Sequence, residues 1–174
     1  MTRPPVNALD LLAEGFLYPE PARAARLRQP ARGLPTACRA PWTRFLESAG
    51  RLDPAAWEEL YTRTLDLNPV AAPYVGYQVY GEDYRRGSFM ARMSAELERL
   101  QIPASGELAD HLAPVLRYLA RAETLPSDVL DTTRQALASM VKQLEGIDRT
   151  NPYRHLVHAA RAAVGELTSE GSAP

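Results

Sequence analysis

The residues best equipped for chemistry fall in two short stretches. In ELADHLAPVLRYLA, residues 107–120, Glu107, Asp110 and His111 lie within five positions of one another. A carboxylate beside an imidazole can tune a proton transfer, but no nucleophile or second base keeps them company. The same letters also read as a helix start, with Asp110 accepting a backbone N–H ahead of the helix that Pro114 helps to begin. In APYVGYQVYGEDYRRG, residues 72–87, four of the eight tyrosines (Tyr74, Tyr77, Tyr80 and Tyr84) crowd against Glu82, Asp83, Arg85 and Arg86. Tyrosine is an awkward core residue because each hydroxyl wants a partner. It serves well on a surface that recognises a peptide, where the ring supplies area and the hydroxyl adapts.

The usual traces of catalysis are missing. The chain has no GxxxxGK[ST], no GxGxxG after a strand, no GxSxG, no HExxH and no CxxC, so phosphate cradles and common nucleophile settings have no local signature. A single cysteine, Cys38, excludes an internal disulfide and a cysteine-rich zinc site. His155 and His158 are spaced to share a metal, but Arg154 and Arg161 beside them repel a cation, and the group reads as a solvated polar face. The formal net charge is −1, which gives no electrostatic ground for nucleic acid as a partner. The stretch MTRPPVNALDLLAEG has no continuous apolar run after its basic start, and no segment approaches the roughly 20 apolar residues that span a bilayer. These features point to a cytoplasmic protein without membrane insertion.

The elements that must position these residues read as helix after helix. Val6, Leu9, Leu12 and Phe16 recur at helical spacing up to Pro19. Residues 19–41 hold five prolines and leave room for a short helix over Ala22–Gln29, followed by another from Trp42 to Ala49. Asp53-Pro54 is a start signal, an N-cap with proline at the first helical position, and behind it Trp57, Leu60, Tyr61 and Thr64 share a face. A helix over residues 87–102 carries a stripe of Phe89, Met93, Leu97 and Leu100, with Arg92 and Glu96 spaced to pair. Leu108, Leu112, Val115 and Leu119 mark the next. Leu130, Thr133, Leu137, Met140 and Leu144 mark the longest, ended by Gly146, and Asn151-Pro152 opens the last. No stretch alternates over a strand's length. The expected fold is an all-α bundle of seven to nine helices, one domain over residues 1–168 with a polar, frayed tail over 169–174.

If residues 73–80 are helical, Tyr77 and Tyr80 project together, with Tyr84 in line should the helix continue past Gly81, and Val75 and Val79 turn to the core. Arg86 continues the line of Met90, Met93 and Leu97 and therefore points to the packed side, where a guanidinium is costly unless paired. Asp66 and Asp110 are the available partners.

Two segments together, YTRTLDLNPVAAPYVGYQVYGEDYRRGSFM (61–90) and ELADHLAPVLRYLA (107–120), resemble the NarJ-like assembly chaperones of respiratory nitrate reductase, within the molybdoenzyme-specific chaperones. Tyr61, Thr64, Asp66, Tyr80, Gly81, Arg86 and Gly87 fall on that family's Y-x-x-T-F-D, glycine and R-R-G pattern. Glu107, Leu108, Asp110, His111 and Leu112 fall on its E-L-P-D-H-L. Leu65 stands where phenylalanine is usual and Ala109 where proline is.

The resemblance implies an all-helical, non-catalytic chaperone. Such a protein binds the N-terminal segment of the apo nitrate reductase α subunit and supports insertion of molybdopterin guanine dinucleotide into that partner, holding no cofactor of its own. Service to a dimethyl sulfoxide, selenate or chlorate-type reductase is an alternative, as is a helical small-molecule-binding regulator. The implied partner-binding residues are Tyr61, Asp66, Tyr74, Tyr77, Tyr80, Glu82, Asp83, Tyr84, Arg85, Asp110 and His111. Thr64, Gly81, Arg86, Gly87, Glu107 and Leu112 shape the motif. Monomer and homodimer are both compatible with the sequence.

Overall fold

The computed structural model describes residues 6–28, 33–67 and 69–169. Among these the chain forms nine α-helices and one π-helical turn: α1 Val6–Gly15, α2 Pro21–Leu27, α3 Thr36–Ala49, α4 Pro54–Tyr61, the π turn Thr62–Asp66, α5 Val75–Tyr80, α6 Tyr84–Arg99, α7 Leu112–Arg121, α8 Ser127–Ile147 and α9 Tyr153–Gly165. The described residues contain no strand, as the absence of alternation predicts, only an isolated antiparallel bridge between Tyr74 and His111. No described helix is long and apolar enough to cross a membrane.

The periodicities convert directly into burial. Leu130, Thr133, Leu137, Met140 and Leu144 of α8 are all fully buried, as are Leu9 and Leu12 of α1 with Phe16 just beyond it. The principal seams run between α3 and α9, α1 and α7, α8 and α9, and α5 and α8. At the centre, Phe45, Trp57, Tyr61 and Tyr153 meet at tilted or edge-to-face angles with centroids 5.3 to 6.2 Å apart, the geometry aromatic quadrupoles favour. The Trp57 Nε1–H donates to the Tyr153 hydroxyl at 3.1 Å, so two polar atoms carried into the core satisfy each other.

Several local expectations change. Asp53 caps α4 as foreseen, accepting from the Ala56 N–H at 2.9 Å. α3 begins six residues earlier than Trp42 and keeps Pro41 inside it. The seam with α9 outweighs the lost backbone bond and the packing clash that proline brings. α2 ends at Leu27, and the expected end at Gln29 lies outside the described residues, as does nearly all of the expected tail. α6 starts at Tyr84 rather than Gly87, because Asp83 caps it. Arg92 pairs with Asp128 of α8, and Glu96 with Arg99 at 2.8 Å, so the expected Arg92–Glu96 pair is not made. Leu108 lies outside α7 and is 49% exposed, not part of an inner face.

A charged fastening closes the α1–α7 seam. Glu14 accepts from Arg117 at 2.5 Å, from Arg23 at 3.0 Å and from Arg26 at 3.1 Å, while Asp10 takes Arg121 through two bonds of 2.7 and 2.9 Å. Burial pushes the Glu14 carboxyl up, but hydrogen bonds from Arg23 and Arg26 and the charges of Arg23 and Arg117 outweigh it and hold the group below its usual range.

Candidate functional site

The two motif segments come together where α5, α6 and the start of α7 meet. Val75 N–H donates to the Asp110 carbonyl at 2.7 Å and Leu112 N–H to the Pro73 carbonyl at 2.8 Å. This pair of bonds sets the Tyr74 ring edge-on to the His111 imidazole, with centroids 5.3 Å apart. α5 then runs only to Tyr80, because Gly81 adopts φ +60 and ψ −132, a combination open to glycine and few others. The helix therefore does not continue to Tyr84. The reversal returns the chain, so that Arg86 in the first turn of α6 reaches back over α5.

There the Arg86 Nε donates to Asp110 Oδ2 at 3.0 Å, realising one of its two anticipated partners. Asp66, the other anticipated partner, is not paired with it. The Arg86 guanidinium lies over the Tyr74 ring at 5.7 Å and the Tyr77 ring at 5.4 Å, and that of Arg85 over Tyr80 at 5.3 Å. The crowding of tyrosines beside two arginines thus has a physical reason: the ring faces help hold cations. Gly76 makes room for this joint. A Cβ there would meet Asp110 Oδ2 at 2.9 Å and Arg86 Cγ at 3.1 Å.

Asp110 does not cap α7. That role falls to His111, whose Nδ1 accepts from the Ala113 N–H at 3.0 Å, freeing the Asp110 carboxylate for Arg86. An accepting Nδ1 fixes the neutral tautomer with the proton on Nε2, and burial, aided by the Arg117 charge, drives the His111 pKa down to about 3. Both residues are buried, and Asp110 Oδ1 and His111 Nε2 have no hydrogen-bond partner.

Around this joint stand the remaining predicted residues. Glu107 accepts a long bond of 3.5 Å from the Tyr74 hydroxyl. Its carboxyl is pushed up by burial and by the charge of Asp66, against the pull of that bond. Tyr74 is pushed up in turn by burial, Glu107 and Asp66, so its hydroxyl keeps its proton to donate. Asp66 and Glu82 are exposed, while Tyr77 is 41% and Tyr84 83% exposed. Tyr80 is half-buried with its hydroxyl 3.3 Å from Thr132 Oγ1. Asp83 is occupied in capping α6 and pairing Arg85 at 3.1 Å. Tyr61 belongs to the aromatic core, edge-to-face with both Tyr18 and Tyr153, with Asp66, Glu107 and Tyr74 within electrostatic reach. Leu112 is the buried first residue of α7, whereas Gly87 sits inside α6 with open space where a Cβ would go, so nothing here demands glycine.

Four features escaped the sequence. The Tyr61–Asp66 motif ends in a π turn, a geometry with no compositional signature. The Thr64 hydroxyl donates to the Leu60 carbonyl at 2.6 Å and accepts from Asn151 Nδ2 at 2.8 Å. Leu67 and Leu108, next in sequence to Asp66 and Glu107, expose 68% and 49% of their surface. Gln78 ties α5 to α8 through Ser139 and Gln143.

Residues 31–157, which contain both motif segments, match the model of the nitrate reductase delta subunit family. The chain belongs to that family. Membership assigns it a role in nitrate reductase assembly, as a chaperone. No protein in the curated set matches the chain. The nitrate reductase delta subunit match begins inside the proline-rich segment and ends within α9, so the Arg86–Asp110 joint, the π turn and the Tyr74–His111 bridge all lie inside it.

Proposed function

We propose that this chain grips the N-terminal segment of the nitrate reductase α subunit on the surface formed by Tyr74, Tyr77 and Tyr84, with Asp66, Glu82 and Glu107 as its acidic fringe. By doing so it keeps that subunit unfinished until molybdopterin guanine dinucleotide has entered. The observation that supports this reading is the coincidence of exposed ring and aliphatic area (Tyr77, Tyr84, Leu67, Leu108) with unpaired carboxylates around a rigid joint. An amphipathic peptide lays apolar anchors on such a surface, and its basic residues find Asp66 and Glu82 without having to displace an internal partner.

Arg86 and Asp110 contribute indirectly, by holding Tyr74 and Tyr77 in place. Their bond is mostly buried, with side-chain exposures of 21% and 0%, so a ligand meets the tyrosines it positions. The protein's residues make and break no covalent bond in this scheme. They orient a peptide and cover it until release.

The test is calorimetric titration with a synthetic peptide from the N-terminus of the same organism's nitrate reductase α subunit. Micromolar or tighter binding, about −8 kcal/mol, is expected, weakened by Tyr77→Ala at unchanged melting temperature. A peptide that does not bind, or an α subunit that acquires its cofactor normally in a strain lacking this gene and any relative of it, would overturn the reading.

A further inference from the structure

A second site lies along the α3–α9 seam and shares no residue with the tyrosine surface. Ala37, Pro41, Arg44, Arg154, His155, His158 and Ala162 line a cleft of about 430 Å³, within the size range of small-molecule sites. Its polar lining is wholly cationic or imidazole. Elsewhere Arg23, Arg86, Arg117 and Arg121 each hold a carboxylate. Arg44 and Arg154 hold none among the described residues, and the buried Arg154 Nε has no hydrogen-bond partner at all. A buried guanidinium N–H without an acceptor is expensive, and here it lies beside a cleft large enough to admit one.

The imidazoles report the same field. Burial first, then the charges of Arg154, Arg44 and His158, keep His155 below its ordinary pKa. His158 is 3.1 Å from Glu145 of α8, so that carboxylate is already engaged. The arginines that argue against a metal at His155 and His158 argue for the opposite charge.

We propose that this cleft is an anion site that takes a phosphate group, free or carried on a small molecule. Guanidinium forks match phosphate oxygens in pairs. Two arginines from different helices, with a neutral imidazole able to donate a third bond, form a convergent set of donors. A cleft of this volume exceeds what a bare phosphate fills, leaving room for the body that carries it. Because a bound anion favours the charged imidazole, binding takes up a proton at His155 and tightens as pH falls through its titration range. His155 feels Arg154 of its own helix, Arg44 of α3, and His158, itself held by Glu145.

The test follows the His155 imidazole resonances by NMR, assigned with His155→Gln, during titration with inorganic phosphate, pyrophosphate and ADP at constant ionic strength. Saturable shifts and a rise in the His155 pKa of about half a unit or more are expected. Arg44 is exposed, so Arg44→Glu should weaken binding about tenfold or more at unchanged melting temperature. Equal affinity for phosphate and ADP would identify the free anion as ligand, and tighter binding of ADP a phosphate carried on a larger body. Shifts that never saturate, or that persist unchanged in Arg44→Glu, would overturn the proposal.

Discussion

Two ion-paired joints in this molecule use the same chemistry to different ends. At the α1–α7 seam, Glu14 is surrounded by Arg23, Arg26 and Arg117, and both of its oxygens are engaged. At the junction of α5, α6 and α7, Asp110 has a single arginine, one oxygen without a partner, and a guanidinium shared with two tyrosine rings. The first is a closed fastening whose two carboxylate oxygens are both taken up in holding the bundle together. The second is incompletely satisfied and is roofed by partly exposed aromatic rings. Unused hydrogen-bonding capacity, and not charge as such, separates the region proposed to bind from the region that holds.

That contrast can be broken at several points. Arg86→Glu should be the most damaging change, about 3–5 kcal/mol of stability by urea unfolding, because it leaves a buried carboxylate facing a like charge. Unchanged unfolding would remove the joint from the account. Gly76→Ala should cost about 1–3 kcal/mol through overpacking against Asp110 and Arg86, and should weaken peptide binding as well.

Acid provides a third comparison. The folded pKa of His111 lies at about 3, below its unfolded value near 6.5. Between those values the unfolded chain binds the extra proton, so stability falls as pH drops through that window, with a slope of at most about 1.4 kcal/mol per unit. His111→Asn can retain the cap to Ala113 and should flatten that slope. Glu14, whose folded pKa is lowered, gives stability that is present above its unfolded value and lost as pH falls through the lower folded one. Glu14→Gln should therefore remove a loss confined to the more acidic end. Tyr77→Ala should have the smallest effect on stability, within about 0.5 kcal/mol as for most surface changes, while lowering peptide affinity about tenfold. The reverse pattern would make Tyr77 a packing residue.

Much of the fold was legible because helical periodicity and burial are the same fact seen twice. The α8 stripe and the Asp53 cap were readable letter by letter, and so was the pairing of Arg86, since a cation on an apolar line needs an anion. What failed was arbitration between neighbours. Asp110 and His111 are both able to cap, and only the position of Arg86, 24 residues away, decides which does. Leu108 fits the α7 periodicity, yet the helix begins four residues later, at Leu112. Pro41 argued for a late start to α3, and the seam with α9 overruled it. The π turn had no local trace because its hydroxyl clamp comes from Asn151.

That clamp has a consequence for anyone hoping to move the motif. The turn that carries Asp66 is held by an amide 87 positions downstream of Thr64. The same amide residue receives the Tyr153 N–H at the start of α9. A fragment ending before residue 151 would keep every letter of Y-x-x-T-x-D and lose the shape those letters adopt here, so the proposed recognition element is portable only as the whole bundle.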